Sequence, residues 1–238
     1  MKTDNIALII AMRSEAVPLI EAMDLKKQNG AFPEKTPFEG YTGSHEGKQV
    51  SVIVSGRNRV HGVDNVATQP AALMTFLAID WLSPDLIINA GTAGGMAEHG
   101  CRIGDIYLSE GPFCYHDRRI PLPRFREYGI GSYPSVDTSE IAISLGFKRG
   151  RISTGDSLDM TDRDLEMIRE NGAIIKEMEA AAVAWVCEMM DVPMFAVKAI
   201  TDLIDRSEST QEQFTTNLQL AVSNLQQAVQ LIVGSEQI

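Results

Sequence analysis

The fold is decided by one stretch, Asp85-Leu86-Ile87-Ile88-Asn89-Ala90, which runs directly into Gly91-Thr92-Ala93-Gly94-Gly95. The first six residues form a largely apolar run of strand length, and such runs are typical of strands that are buried on both faces. We predict that the strand stops in a turn formed by the glycine-rich half. Ligands bind where strands end in open α/β sheets, so the residues after this strand are candidates for a binding site.

The pattern of a strand followed by a loop or helix repeats along the chain. Further strands are predicted at 6–11, 105–108, 149–153 and 194–199, and a hairpin at 38–44 and 49–55. Helices are predicted at 14–23, 66–79, 138–145, 162–171, 180–190 and 210–233. This alternation indicates an α/β fold, a three-layer sandwich in which helices flank a central mixed β-sheet. No composition break divides the chain, so we expect a single domain over 1–238.

The segment 115–133 differs from its surroundings, because arginines, prolines and glycines interrupt any periodicity there. We predict a long irregular loop. Long loops within compact domains commonly serve a function or an interface.

The net charge and the lengths of the apolar runs indicate which classes of partner the protein does not bind. The 238 residues include 21 Lys and Arg against 32 Asp and Glu, a net charge of −11, so a nucleic-acid backbone would be repelled on average. No apolar run approaches the roughly 18 residues that cross a membrane, and the first residues lack a signal-peptide core. We therefore expect a soluble, cytoplasmic protein that binds neither nucleic acid nor membrane.

The spacing of the cysteines and histidines indicates neither a metal site nor a disulfide framework. They are widely spaced, without the intervals of a zinc site, and we interpret the cysteines as small core residues. A metal pair at His116 and Asp117 lacks further ligands at suitable spacing. The residues concerned are Cys101, Cys114, Cys187, His45, His61, His99 and His116.

Three acidic residues follow predicted strands. These are Glu15, Glu179 and Asp202. One interpretation is purely structural, since acids are favoured in the first turn of a helix. The other is catalytic, because cleavage of a glycosidic bond uses one carboxyl group to protonate the leaving group and another to activate water.

The glycine cluster 91–95 also has two interpretations. It is neither G-x-G-x-x-G nor a P-loop, because it lacks the Gly-Lys-Ser/Thr ending. It is either a tight turn at a close approach of backbones or a wall against which a flat ring or ribose lies.

Five motifs occur in order along nearly the whole chain: Ala11-Met12-Arg13-Ser14-Glu15-Ala16, Asn89-Ala90-Gly91-Thr92-Ala93-Gly94-Gly95, Ser153-Thr154-Gly155-Asp156-Ser157-Leu158-Asp159-Met160, Glu177-Met178-Glu179-Ala180-Ala181-Ala182 and Lys198-Ala199-Ile200-Thr201-Asp202. Together they resemble the 5′-methylthioadenosine/S-adenosylhomocysteine nucleosidases of the nucleoside phosphorylase superfamily. The segment 115–121 and the Leu158-Asp159 pair are most similar to the plant-type branch.

The resemblance implies a nucleoside phosphorylase-like fold and a role for each matching residue. Glu15 matches the base that activates water, and Asp202 matches the acid that assists departure of adenine through N7. Met178 and Glu179 match the residues that hold the ribose, the glutamate taking its hydroxyls. The remaining implied residues of the ribose and adenine site are Thr92, Leu158, Lys176 and Glu177.

The superfamily also contains phosphorolytic enzymes, so the choice between water and phosphate has to be argued. Purine phosphorylases place phosphate-binding arginines near the positions of Glu15 and Asn89. A carboxylate at the first position repels phosphate and can accept a proton from water, which favours hydrolysis. Arg13 and Arg57 keep the phosphorylase alternative open, since either is able to reach an anion.

Three residues depart from the bacterial pattern and fit the plant-type branch. Leu158 replaces an aromatic residue beside adenine, Lys198 replaces an arginine, and Arg57 stands where a small apolar residue borders the ribose. The stacking contribution that the bacterial pattern implies for this position is therefore not carried over to Leu158.

The resemblance thus predicts a small-molecule adenine thionucleoside as substrate and no metal or cofactor. We expect hydrolysis of methylthioadenosine to adenine and 5-methylthioribose, with S-adenosylhomocysteine as a further candidate. The alternatives are a purine nucleoside phosphorylase and a non-catalytic adenine-nucleoside binding protein. The family is homodimeric, and the loop from Arg118 to Tyr128 is our candidate for the segment that borders the partner's site.

Overall fold

The computed structural model of the protein describes residues 3–238, and a mixed sheet of eleven strands runs through this part of the chain. The strands are β1 (Asn5–Ile10), β2 (Lys26–Gln28), β3 (Glu39–His45), β4 (Lys48–Val54), β5 (Leu86–Gly95), β6 (Ile106–Ser109), β7 (Cys114–Tyr115), β8 (Lys148–Gly150), β9 (Ile152–Thr154), β10 (Ile175–Glu177) and β11 (Met194–Leu203). The helices are α1 (Arg13–Ala22), α2 (Thr68–Leu82), α3 (Phe125–Ile130), α4 (Ser139–Leu145), α5 (Asp162–Glu170), α6 (Ala180–Met189) and α7 (Thr210–Val233), with a 3-10 turn at Ala97–His99.

Strand β5 is the centre of the sheet. It runs parallel to β1 on one side and to β11 on the other, and its last residues also pair antiparallel with β10. Beyond β1 the order is β4, β3 and β2, while β10 leads on to β9 and β7. The far edge of β11 pairs with β6, which pairs with β8. Elements from distant parts of the chain therefore meet around the end of β5.

Alternate side chains of β1 enter two separate cores on opposite faces of the sheet, as the pleat of a strand requires. Ala7 and Ile9 pack with apolar residues of α2 and α6. Ile6, Leu8 and Ile10 pack with apolar residues of α1 and α7. All five are fully buried, and each of the larger side chains contributes about 1.5–3 kcal/mol of hydrophobic stabilisation. The predicted three-layer α/β architecture is confirmed.

Most predicted elements are confirmed within a few residues at each end. The hairpin is formed by β3 and β4 in antiparallel register, and the predicted helices correspond to α1, α2, α4, α5, α6 and α7. The three cysteines are buried and unpaired. Within residues 3–238, the structure has no helix with the length and apolar character needed to span a membrane.

The glycine-rich stretch after Ala90 is strand rather than turn, so the prediction that the strand stops there is wrong. β5 continues through Gly94 and Gly95, where β11 and β10 both pair with it. The glycines are needed for close approach: a Cβ on Gly94 would lie 2.6 Å from Asp202 Oδ2 and 2.4 Å from Ile204 Cγ2. Neighbouring side chains fill the space that a larger residue at 94 would occupy.

Strand β11 is likewise longer than predicted and contains Asp202 instead of ending before it. Its register against β5 shifts between Ile200 and Asp202, which marks a β-bulge at Thr201. Bulges change the direction of the side chains that follow them. The bulge therefore sets where Asp202 points.

The strand predicted at 149–153 is divided into two strands in the structure, because Arg151 belongs to neither β8 nor β9. β8 pairs with β6, whereas β9 pairs with β7 and β10. No strand is predicted from the sequence at β2 or β7, and at β10 only the pair Ile174-Ile175 before Glu179 indicates one. These strands have two or three residues, too few for an alternating pattern to be recognised.

The segment 115–133 is not wholly irregular, since it contains α3. A bridge between Phe113 and Tyr133 closes the base of the segment. The Arg118 guanidinium lies over the Tyr115 ring at 4.3 Å and over the Tyr128 ring at 5.3 Å, which gives the segment internal order through cation–π contacts.

Candidate active site

A cavity of about 220 Å³ opens where β5, β10 and β11 meet the first turns of α1, α6 and α7. It brings together all eight residues that the sequence and the resemblance nominate: Glu15, Thr92, Leu158, Lys176, Glu177, Met178, Glu179 and Asp202. The other lining residues are Ala11, Met12, Val66, Ala90, Gly91, Ala93, Gly94, Thr201 and Phe214.

Glu15 lies in the first turn of α1 and is buried. Its Oε1 accepts hydrogen bonds from the Thr92 backbone N–H at 2.7 Å and from the Thr92 hydroxyl at 2.8 Å. Its Oε2 accepts from the Met12 N–H at 3.3 Å, which caps the helix. Burial raises the pKa of Glu15, while the two Thr92 hydrogen bonds oppose that rise. The side chain is thus fixed in orientation with a proton affinity above that of an exposed glutamate.

Glu177 lines the cavity, but the protein itself engages both of its carboxylate oxygens. Oε1 accepts from the Thr154 hydroxyl. Oε2 accepts from Lys198 Nζ at 2.9 Å, and from the N–H groups of Glu179 at 2.9 Å and Ala180 at 2.8 Å. Burial alone would raise the pKa of Glu177, yet the Lys198 charge and these hydrogen bonds lower it. Glu177 is an ionised cap that fixes the start of α6.

Glu179 is the residue at the N-terminal cap of α6, with partial exposure to the cavity. Its Oε1 accepts a hydrogen bond from the Ala67 N–H at 2.8 Å, just before α2 begins. Desolvation and repulsion from ionised Glu177 raise the pKa of Glu179 to about 7. Two neighbouring glutamates therefore differ in charge state, because Lys198 directly neutralises only Glu177.

Asp202 is buried at the bulge of β11. Its Oδ1 accepts a hydrogen bond from the Thr201 hydroxyl at 2.8 Å, and its Oδ2 lies close to the Cα of Gly94. Burial raises the pKa of Asp202, and the Thr201 hydrogen bond and the positive charge of Lys176 act against that rise. A carboxyl group in this environment retains a proton at higher pH than an exposed aspartate does.

The base-side wall, defined here as residues 157–159, is held by Lys176. Leu158 of this wall lines the cavity and is 40% exposed. The Lys176 side chain is buried, and its Nζ donates to the carbonyl oxygens of Ser157, Leu158 and Asp159. The three N–H donors of the ammonium group are thereby engaged by the protein's own carbonyl groups.

Arg13 and Arg57, the two candidate phosphate ligands in the sequence, do not line the cavity. Arg13 is exposed and forms an ion pair with Glu39 at 2.6 Å. Arg57 is exposed and pairs through its backbone with Asp64. Among the described residues of the lining, Lys176 is the only cation.

Asn89, which the resemblance places near the second phosphorylase arginine, is also outside the cavity. The side chain is buried in the sheet, where Nδ2 donates to the Ile9 carbonyl at 3.1 Å. Asn89 carries no positive charge and does not reach the cavity, so it does not provide a phosphate ligand there.

Phe214, Val66 and Met12 belong to the lining but are not nominated from the sequence. Phe214 lies in the first turns of α7, within the otherwise polar run Gln211-Glu212-Gln213-Phe214-Thr215-Thr216. A lone aromatic residue at the polar start of a helix is the signal that points to it. Val66 and Met12 precede helices and carry no such signal.

His116 and Asp117, within the segment 115–121, form hydrogen bonds with residues on and just after β9. His116 Nδ1 lies 3.1 Å from Ser153 Oγ, and Asp117 accepts the Asp156 N–H at 2.7 Å. Across residues 3–238, no group of three or more His, Cys, Asp or Glu side chains is arranged to hold a metal ion.

Comparisons with known proteins agree with this geometry. The family model described as the phosphorylase superfamily matches residues 5–234. A 5′-methylthioadenosine nucleosidase of Arabidopsis thaliana is 40% identical over 223 residues, covering 93% of this chain and 83% of the relative. A 5′-methylthioadenosine/S-adenosylhomocysteine nucleosidase of the same organism is 38% identical over 230 residues, covering 96% and 90% respectively.

A solved structure gives the same result. The apo form of Arabidopsis thaliana 5′-methylthioadenosine nucleosidase superposes with a TM-score of 0.95 at 38% sequence identity, covering 98% of this chain and 96% of that chain. The likeness therefore extends over the whole sheet and its flanking helices.

Proposed function

The chain belongs to the phosphorylase superfamily and, within it, to the 5′-methylthioadenosine/S-adenosylhomocysteine nucleosidases, and we propose on this basis that it hydrolyses 5′-methylthioadenosine to adenine and 5-methylthioribose. The observation that carries the proposal is the grouping of Glu15, Glu179 and Asp202 around one cavity without a free cation. Negative charge on the ionised glutamates of this group stabilises the oxocarbenium character that the sugar develops as the glycosidic bond breaks, while Asp202 is the proposed proton donor.

Glu15 is the proposed general base. Its carboxylate is held by Thr92 and Met12 so that it can take a proton from a water molecule attacking the sugar. The raised pKa suits this task, because a base works best when its proton affinity approaches the working pH.

Asp202 is the proposed general acid. Burial favours the protonated form that can donate a proton to N7 of the departing adenine. The lack of a Cβ at Gly94 leaves the room that the Asp202 carboxyl group needs.

The ribose is proposed to lie against Met178 and Glu179, with Thr92 beside it. Glu179 accepts the Ala67 N–H through Oε1, and its other oxygen is proposed to accept the ribose hydroxyls. Leu158 is proposed to cover the base, and Val66 and Phe214 add apolar surface to the same cavity.

Water rather than phosphate is the proposed nucleophile. An attacking phosphate dianion needs positively charged or N–H partners, whereas Arg13 is paired with Glu39 and Lys176 is bonded to three carbonyl groups. We propose methylthioadenosine as the main substrate and S-adenosylhomocysteine as a second one, as in the name of one relative.

We further propose a homodimer in which residues 118–128 border the partner's site. Leu122, Phe125 and Tyr128 in this segment are each more than half exposed, and an apolar thioether is a suitable neighbour for such side chains. A cytoplasmic location is proposed because the three buried cysteines are unpaired, as is usual in a reducing compartment.

The test is a side-by-side assay of adenine or hypoxanthine release from methylthioadenosine, S-adenosylhomocysteine and inosine, with and without phosphate. The proposal predicts release from methylthioadenosine in phosphate-free buffer. Release only when phosphate is present would make the protein a phosphorylase. Nucleoside binding by calorimetry without any product would make it a binding protein.

A further inference from the structure

Lys176 makes an unusual set of contacts for a lysine in a cavity wall. Its Nζ donates hydrogen bonds to the carbonyl oxygens of Ser157 at 2.6 Å, Leu158 at 2.9 Å and Asp159 at 3.0 Å. An ammonium group has three N–H donors, so its donor capacity is filled by three consecutive carbonyl groups. The side chain is only 5% exposed, so these bonds compensate the cost of burying its charge.

The base-side wall has no regular secondary structure of its own. Residues 157–159 lie between β9 and α5 and belong to neither a strand nor a helix. Leu158 is 40% exposed, so its apolar packing anchors this wall only weakly. The three hydrogen bonds from Lys176 therefore contribute directly to holding the wall in shape.

The same ammonium group also acts on Asp202. The charges that face Lys176 come from Asp202 on β11, Asp159 on the base-side wall, Asp164 on α5 and Glu177 on its own strand. The Lys176 charge also lowers the pKa of His116, which follows β7. Lys176 and Asp202 both line the cavity, and both pair in register with Gly94, Lys176 from β10 and Asp202 from β11.

We propose that Lys176 is a positioning residue for the leaving base: it holds residues 157–159 in the shape that receives adenine, and it keeps a positive charge beside Asp202. This inference rests on the proposed nucleosidase function. Both effects act through other residues, since the Lys176 ammonium donates to the protein's own carbonyl groups.

The chain contains a matched control for this arrangement. Lys48 Nζ also donates to three main-chain oxygens, those of Val233 at 2.9 Å, Ser235 at 2.8 Å and Ile238 at 3.2 Å. This second lysine ties β4 to the end of α7 and does not line the cavity. Removing it tests the loss of a comparable contact away from the site.

The experiment compares Lys176→Met, Lys176→Arg and Lys48→Met with the wild-type enzyme in methylthioadenosine hydrolysis. The readouts are KM, kcat, the inhibition constant of adenine and the pH profile of kcat/KM, together with the melting temperature. Lys176→Arg retains the charge, but its planar guanidinium group cannot direct three donors from one nitrogen at the three carbonyls.

For Lys176→Met, we expect KM and the adenine inhibition constant to rise about tenfold, the equivalent of losing one good hydrogen bond to a charged group. The alkaline limb of kcat/KM should move to higher pH, because Asp202 loses a neighbouring cation that lowers its pKa and so stays protonated at higher pH. Lys176→Arg should show the rise in KM without the shift of the limb. Lys48→Met should lower only the melting temperature.

A merely structural role gives a different pattern. If Lys176→Met lowers the melting temperature but keeps the wild-type KM and alkaline limb, the inference is overturned while the proposed function stands. If Lys176→Met does not fold, the inference depends on Lys176→Arg, and an unchanged KM in that variant overturns it. A wild-type enzyme that releases no adenine overturns the proposed function and this inference together.

Discussion

Lys198 Nζ lies 2.9 Å from Glu177 Oε2, and both side chains are only 1% exposed. The pair joins β11, which carries Asp202, to β10 and to the first N–H groups of α6, where Glu179 stands. The ion pair thus links the position of the proposed acid to that of the proposed ribose ligand.

Loss of this cation should destabilise the protein strongly. Lys198→Met leaves Glu177 buried without its counterion, and we expect a loss of about 3–5 kcal/mol in the free energy of unfolding, measured in urea. Lys148→Met is the matched control, because its pair with Asp105 is partly exposed and contributes less than about 1 kcal/mol. Equal losses in the two variants would contradict the assignment.

Glu179 should make the protein less stable as pH rises from about 4.5 to about 7. Its pKa of about 7 in the folded protein exceeds the ordinary glutamate value of 4.5, so the folded state binds more protons than the unfolded state between these values. Stability therefore falls as pH rises through about 7. We expect Glu179→Gln, which cannot ionise, to gain about 1–3 kcal/mol relative to wild type on going from pH 5 to pH 8.

The measurement is a set of urea unfolding curves at several pH values. Asp205→Asn serves as a control, because Asp205 caps the N–H groups of Ala97 and Glu98 and has a lowered pKa. A stability difference between Glu179→Gln and wild type that stays constant from pH 5 to pH 8 would contradict the raised pKa.

The hydroxyl of Thr92 should set the acid limb of the pH profile. Glu15 must be ionised to accept a proton, so activity is lost as pH falls through its pKa. Thr92→Val removes a hydrogen bond that lowers this pKa, and the acid limb of kcat/KM should move to higher pH. In Thr75→Val, whose hydroxyl bonds only to Ala71 of its own helix, the limb should stay in place.

Asp202→Asn should abolish most activity while leaving the fold intact. The amide has the shape of the carboxyl group and can still accept from the Thr201 hydroxyl, but it cannot supply a proton. We expect kcat to fall by about 10²–10⁴-fold, with little change in melting temperature. An active variant with a normal melting curve would show that another group is the acid.

The sequence predicts the layers of this fold well because apolar periodicity is strong. β1, α6 and α7 carry long apolar patterns, and their predicted bounds agree closely with the structure. The continuation of β5 through Gly94 could not be predicted, because glycine disfavours strands unless a neighbour needs its space. That neighbour is Asp202, more than one hundred residues away in sequence.

The candidate site likewise contains residues that can be recognised from the local sequence and contacts that cannot be predicted from it. Glu15, Glu179 and Asp202 are recognisable by residue type and by their places near strand ends. The Glu177 carboxylate pairs with Lys198, which lies on a different strand. Lys176 donates to the Leu158 carbonyl, which lies in a segment without regular structure. Such contacts join residues that no local pattern connects.

The most direct test of the central claim is hydrolysis of methylthioadenosine in phosphate-free, ¹⁸O-labelled water, with mass spectrometry of the released sugar. If Glu15 activates water and Asp202 protonates the base, the label enters at the anomeric carbon of 5-methylthioribose, and Asp202→Asn and Glu15→Gln release little or none. A reaction that proceeds only with added phosphate and yields an unlabelled sugar phosphate would contradict the account.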